Sequence, residues 1–301
     1  MATPLRARHE LDVAGLERLV EHIVGAGVAG LFILGTTGEA AGISPALRRD
    51  LVSRVCRQVA RRVPVLVGIT DTVFTESVAL ARHAAREGAD AVVLAPPYFL
   101  PPGPPELREY LDDLLPELPL PVLLYSLPAF VRAAYDYDTI RYVMDRPAVI
   151  GLKDSSGGVE MFRRLRSSMP LRPDWSLLVG PEELICDAVA VGAHGGVAGG
   201  ANLFPHLYQA LCAAALAGDA ARARLLQDQV CRVGRLLYRV GGYDSGVIKG
   251  IKCGLSCLGI CDDLPAGPLR RFGDAERERV RGQIAVLQQE IAAVMGAGTP
   301  S

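Results

Sequence analysis

Lysine is scarce in this chain: of 32 basic side chains only three, at positions 153, 249 and 252, are lysines, and arginine does nearly all the surface work. Long apolar runs are missing as well. None reaches the length needed to span a bilayer, and no basic-then-apolar leader opens the sequence, so the expectation is a soluble, cytoplasmic protein. A net charge of -1 removes nucleic acid and anionic membranes as expected partners. Metal-ligand spacing is also lacking. The histidines (His9, His22, His83, His194, His206) form no ligand pair. The seven cysteines, an odd number scattered through apolar segments, read as reduced, buried small hydrophobes. Cys253, Cys257 and Cys261 are spaced to line one helix face, but with no further ligand converging on them no metal is expected.

What is present is a regular alternation. At 301 residues, 50% hydrophobic and 22% charged, the chain fits two ordinary domains or one α/β barrel with an extension. Short apolar runs at 29–34, 64–69, 91–95, 121–126, 148–153, 176–180 and 195–200 read as strands of a parallel sheet buried on both faces. Each is followed by a helical pattern. Asp12 is an N-cap for the helix before the first of these strands, and Ser44-Pro45 opens the helix after it. Seven strands, each followed by a helix, are one short of a (β/α)₈ barrel. The first strand is expected to be short or clipped within Met1–Leu5; an open, doubly wound sheet is the alternative. Beyond Gly218 the pattern is wholly helical, at 219–240, 244–258 and 275–294. The expected division is therefore a barrel over 1–218 carrying the active site and a C-terminal helical extension over 219–301.

In a barrel the chemistry sits where strands end. Those positions collect Gly35-Thr36-Thr37-Gly38-Glu39, Pro96-Pro97-Tyr98, Tyr125-Ser126-Leu127-Pro128, Lys153-Asp154-Ser155-Ser156, Gly180-Pro181-Glu182 and the glycines around Val197. Lys153 ends the buried run Ala148–Leu152, where its ammonium must lose hydration. Burial lowers an amine's pKa and makes it a usable nucleophile, a role closed to arginine. A neutral Lys153 would attack a 2-oxo group, Tyr125 on the neighbouring strand would shuttle the proton as water leaves, and the Gly-Thr-Thr-Gly turn would offer N–H groups and hydroxyls to the substrate carboxylate. Each piece has a plainer reading. Lys153 could snorkel from a strand end, Tyr125 could cap the core, the glycine-rich segment could be only a tight turn, and Tyr98 could merely pin its loop. Glu39 and Asp154 read as structural hydrogen-bond partners.

The three motifs Gly35–Glu39, Tyr125–Pro128 and Gly151–Asp154, in this order and spacing, resemble the pyruvate-dependent class I aldolases and lyases typified by dihydrodipicolinate synthase and N-acetylneuraminate lyase. The resemblance covers nearly the whole chain. It implies a (β/α)₈ barrel, a homotetramer, and a Schiff base between Lys153 and pyruvate or another 2-oxo acid, with no metal and no organic cofactor. By position it makes Tyr125 the general acid/base, Thr36 a proton relay and Thr37 the holder of the pyruvate carboxylate. Tyr98 would be a relay tyrosine reaching a neighbouring subunit, and Val197 a residue whose carbonyl lies beside the Schiff base. Two positions depart from the pattern. Phe130 stands where dihydrodipicolinate synthases carry an arginine for the aldehyde's carboxylate, and Arg132 replaces a usual glycine. Pro97 replaces the tyrosine of lysine-inhibited synthases, so feedback by lysine is not expected. The wording is closer to aldolases of 4-hydroxy-2-oxoglutarate and 2-keto-3-deoxy sugar acids. The activity expected is an aldolase making or breaking a C–C bond between pyruvate and an aldehyde. A 5-dehydro-4-deoxyglucarate-type dehydratase, a 4-hydroxy-tetrahydrodipicolinate synthase and a catalytically silent paralogue that binds 2-oxo acids remain open, because fold does not fix function.

Overall fold

The computed structural model describes residues 1–168, 172 and 174–296. In chain order, β1 (Leu5–Ala7) and β2 (Glu10–Leu11) form a small antiparallel pair, followed by α1 (Val13–Val24), β3 (Leu31–Ile33) and α2 (Pro45–Val59). Next come β4 (Val65–Gly68), α3 (Phe74–Arg86), β5 (Ala91–Leu94), α4 (Pro104–Leu114), β6 (Val122–Ser126), α5 (Pro128–Val131) and α6 (Tyr137–Met144). Then follow β7 (Val149–Asp154), α7 (Glu160–Arg166), β8 (Ser176–Val179), α8 (Ile185–Ala190) and β9 (Gly195–Gly196). Four helices close the described chain: α9 (Pro205–Leu216), α10 (Ala220–Leu237), α11 (Gly246–Cys257) and α12 (Asp274–Gly296). The chain divides into two compact units, one of residues 64–197 and one of residues 1–63 with 198–301. The extension expected over 219–301 leaves the described residues after 296.

The unit of residues 64–197 holds β4 to β9, hydrogen-bonded in sequence order and all parallel. Strands β5 and β6 are buried at every residue, while β8 alternates half-buried and buried positions. Burial on both faces is why β5 and β6 read as unbroken apolar runs rather than alternating ones. Helix α4 contributes Leu107, Leu111 and Leu114 to the core, α6 Ile140, Val143 and Met144, and α7 Phe162 and Leu165. Gly151 is required within β7. Its φ is +152°, and a Cβ there would lie 2.1 Å from the Ser176 carbonyl oxygen on β8.

In the other unit, Asp12 caps α1 by accepting from the Gly15 N–H at 2.9 Å, and the Ser44 hydroxyl caps α2 by accepting from Leu47 N–H at 3.2 Å. Both caps fall where the sequence puts them. Helix α10 packs on α9, α11 and α12, burying Leu226, Val230, Val233 and Leu237. Two expectations are corrected and one element is new. Strand β9 spans only Gly195–Gly196, because Gly200–Asn202 turns into a 3₁₀ helix. The short helix α5 was not foreseen. Cys261 does not continue the face of Cys253 and Cys257, since α11 ends at Cys257 and Gly259 turns away with φ +72°.

Candidate active site

Strands β6 and β7 pair with Tyr125 opposite Lys153 and Ser126 opposite Asp154. Opposed residues of neighbouring parallel strands project on one face, so this register alone brings the amine and the phenol together. The Lys153 Nζ lies 4.1 Å from the centroid of the Tyr125 ring. Both side chains are buried, Lys153 at 6% and Tyr125 at 8% exposure. Burial pushes the Lys153 amine below the ordinary lysine value, against the opposing pulls of Tyr125 and of the Glu182 carboxylate. Burial thus outweighs both partners and moves the amine towards the neutral form that attacks a carbonyl.

The loop after β7 is tightly organised. Asp154 is buried, and its carboxylate accepts from the Ser156 N–H and the Ser156 hydroxyl, both at 2.9 Å. Burial raises its pKa, with the Ser156 bonds pulling the other way. Asp154 therefore shapes the turn, in keeping with the structural role read from its position. The ladder continues past the strand ends through Ser155 N–H to Ser126 O and Gly180 N–H to Asp154 O, both 2.8 Å. Gly180 has no room for a side chain, since a Cβ would lie 1.8 Å from the Ser155 hydroxyl. Two residues on, Glu182 opens a 3₁₀ turn and is buried. The sequence marked Glu182 as a strand-end residue but gave it no role; its carboxylate acts on Lys153 electrostatically, pulling the amine's pKa up.

Val197 is half-buried just beyond β9, its N–H bonded to Val179 O at 2.8 Å. Tyr98 is half-buried after Pro96-Pro97, and the next two residues, Phe99 and Leu100, are 87% and 78% exposed. Phe130 lies on α5 at 64% exposure, and Arg132 caps that helix in the left-handed conformation, exposed. That conformation favours glycine, and arginine adopts it at a cost.

Thr36 and Thr37 belong to the other unit and are half-buried in the turn after β3. The turn closes through Glu39 N–H to Thr36 O at 3.0 Å. Its ends, Leu34 and Glu39, have positive φ of 58° and 56°. Glu39 is buried and takes two bonds: its Oε1 accepts from Ala266 N–H at 2.6 Å and its Oε2 from Lys252 Nζ at 2.5 Å. Among the described residues, no group of three or more His, Cys, Asp or Glu side chains could hold a metal ion, and no helix is long and apolar enough to cross a membrane.

Comparison with known proteins places this arrangement. The sequence profile of the Dihydrodipicolinate synthetase family matches residues 1–286. The 4-hydroxy-tetrahydrodipicolinate synthase of Roseobacter denitrificans is 31% identical over 280 residues, 93% of this chain and 94% of its own. The dihydrodipicolinate synthase of Bacteroides thetaiotaomicron superposes with a TM-score of 0.91 at 46% identity, over 95% of this chain and 96% of that one. A prophage protein of the dihydrodipicolinic acid synthase family from E. coli K12, solved in complex with pyruvate, gives a TM-score of 0.89 at 25% identity, over 95% and 96%. The fold is that of these neighbours: α/β of the (β/α)₈ class with a short first strand and a C-terminal helical extension. With it comes the enzyme class, a pyruvate-dependent carbon–carbon lyase of the class I aldolase type. The chain belongs to the dihydrodipicolinate synthetase family.

Proposed function

We propose that Lys153 forms an imine with the keto carbon of pyruvate or a pyruvyl-bearing 2-oxo acid and that the protein is an aldolase acting on 2-keto-3-deoxy sugar acids or 4-hydroxy-2-oxoglutarate. The observation that carries this reading is the buried Lys153 amine seated against Tyr125. The neutral amine adds to the keto carbon, and Tyr125 passes a proton to the departing hydroxyl as water leaves. In the cleavage direction the C3–C4 bond breaks, its electron pair enters the protonated imine to give an enamine, and the C4 hydroxyl loses its proton as the aldehyde departs. Protonation at C3 and hydrolysis then release pyruvate and restore the amine. In this reading Thr36 relays the proton and Thr37 holds the carboxylate. The Val197 carbonyl lies beside the imine, and Tyr98 completes the relay in a neighbouring subunit of a homotetramer. The exposed Phe99 and Leu100 beside Tyr98 support that assembly. The barrel over 1–218 carries the chemistry, and the extension over 219–301 is an appendage to it. The reaction needs no metal or organic cofactor, and the protein works in the cytoplasm.

The names of the relatives favour a second reading, a 4-hydroxy-tetrahydrodipicolinate synthase. Phe130 opposes it, since an apolar ring offers nothing to an aldehyde's carboxylate. On the same ground, 2-keto-3-deoxy sugar acids that release an uncharged aldehyde come before 4-hydroxy-2-oxoglutarate, whose aldehyde half is glyoxylate. One panel decides. Pyruvate release is expected from a 2-keto-3-deoxy acid, with borohydride fixing a pyruvate-derived mass on the peptide containing Lys153. Ring-product formation from pyruvate and aspartate semialdehyde instead would establish the synthase. A mass on Lys249 or Lys252 would remove the mechanism.

A further inference from the structure

Lys252 is fully buried on α11, at 0% exposure, yet it lies outside the strand ends. Its ammonium donates to Glu39 Oε2 at 2.5 Å and to the Thr3 carbonyl at 2.8 Å. The other Glu39 oxygen takes the Ala266 N–H at 2.6 Å, while the Thr3 hydroxyl donates to Gly38 O at 2.6 Å. The N-terminal segment, the Gly35–Glu39 turn, α11 and the segment leading to α12 therefore meet at one buried ion pair. The turn they hold is not at rest. Glu39 and Leu34 both sit in the left-handed region, which non-glycine residues keep only where their surroundings over-determine it. Gly38 leaves no slack either, as a Cβ would stand 3.0 Å from Met1 O and 3.1 Å from Leu34 N. Between these two strained ends lie Thr36 and Thr37.

A buried ion pair is a poor device for stability alone, because well-packed apolar side chains of similar volume do as well or better. Its particular property is direction: a carboxylate with both oxygens engaged fixes its own backbone. We propose that the Lys252–Glu39 ion pair is a positioning device for the 2-oxo acid carboxylate, holding the Gly35–Gly38 turn in the one conformation in which Thr36 and Thr37 receive it. This rests on the reading of Thr37 as the carboxylate's holder. Lys252 touches no reacting atom; it acts through Glu39.

Two carbonyl probes separate positioning from general damage. Pyruvate carries the carboxylate and acetaldehyde does not, and both can be captured on Lys153 by cyanoborohydride and mapped by peptide mass. In Lys252→Met and in Glu39→Gln the pyruvate concentration for half-maximal capture is expected to rise about 10–100-fold, with acetaldehyde capture within about twofold of the parent protein. The double variant Glu39→Gln/Lys252→Met leaves no orphaned charge, is read in the same way, and serves if a single variant does not fold. An unchanged pyruvate requirement in folded variants, or equal loss for both carbonyls, overturns the proposal. Parent protein that yields no Lys153 adduct with either carbonyl refutes the imine itself, and with it everything built on the imine.

Discussion

Lys153 and Lys252 are both buried, at 6% and 0% exposure, and chemistry treats them in opposite ways. Lys252 meets a carboxylate oxygen at 2.5 Å and a carbonyl at 2.8 Å, so the several kcal/mol that desolvation costs an ammonium are answered by hard partners. Lys153 meets the face of a phenol ring, and the pulls of Tyr125 and Glu182 do not outweigh burial, so its pKa falls. The comparison teaches that burial alone does not activate a lysine. What activates it is burial that outweighs its partners. The same residue type with a complete ion pair becomes a fixed strut.

Removing each amine is the strongest way to break this contrast. Exchange of the pyruvate methyl protons in heavy water reports enamine formation without knowledge of the aldehyde. Lys153→Met is expected to lower that exchange by at least about 10⁴-fold while leaving stability unchanged or raising it by about 1 kcal/mol, since the desolvation penalty of a buried amine disappears. A variant that keeps its exchange rate would place the chemistry elsewhere. Next in size, Tyr125→Phe is expected to slow the exchange by about 10²–10⁴-fold, and an unaltered rate would reduce Tyr125 to packing.

Lys252→Met should show the mirror image in urea unfolding. It strands the Glu39 carboxylate in the core, at a cost of about 3–5 kcal/mol, and adding Glu39→Gln should recover most of that loss. Equal stability of the single and double variants would mean that the two side chains are not coupled.

The contrast was half legible in the sequence. Lys153 and Tyr125 were readable because short apolar runs mark parallel strands, and strands of known spacing bring their ends together. Strand β6 ends at Ser126 and β7 at Asp154, so the register sets Tyr125 opposite Lys153. Asp12 and Ser44 were readable for a similar reason, since caps are local chemistry. Lys252 and Glu39 stand 213 residues apart, and no local pattern announces that they meet. The left-handed backbone at Leu34, Glu39 and Arg132 was hidden because none of these is a glycine, the usual marker. Helix α5 was hidden too: a turn and a four-residue helix share the same start, Pro128. Glu182 lay at a foreseen strand end, but which way its carboxylate turns depends on the 3₁₀ turn it opens.

Glu182 offers the finest test of compensation, with the smallest effect. Its carboxylate raises the Lys153 pKa while burial lowers it further than Glu182 and Tyr125 restore. Glu182→Gln keeps the shape and removes the negative charge, so the balance moves further towards the neutral amine. The protonated amine does not attack a carbonyl, which makes the acidic limb of Lys153 capture a report on its titration. With the raising influence gone, that limb should move to lower pH, and capture by pyruvate at mildly acidic pH should become faster relative to the plateau. The plateau rate itself is a control for misfolding, because an intact site keeps its shape when a carboxylate becomes an amide. A limb that stays in place would mean that Glu182 is screened from the amine and that burial and Tyr125 alone set its reactivity. A limb that moves to higher pH would reverse the sign of the argument and make Lys153 a lysine governed by its partners rather than by its burial.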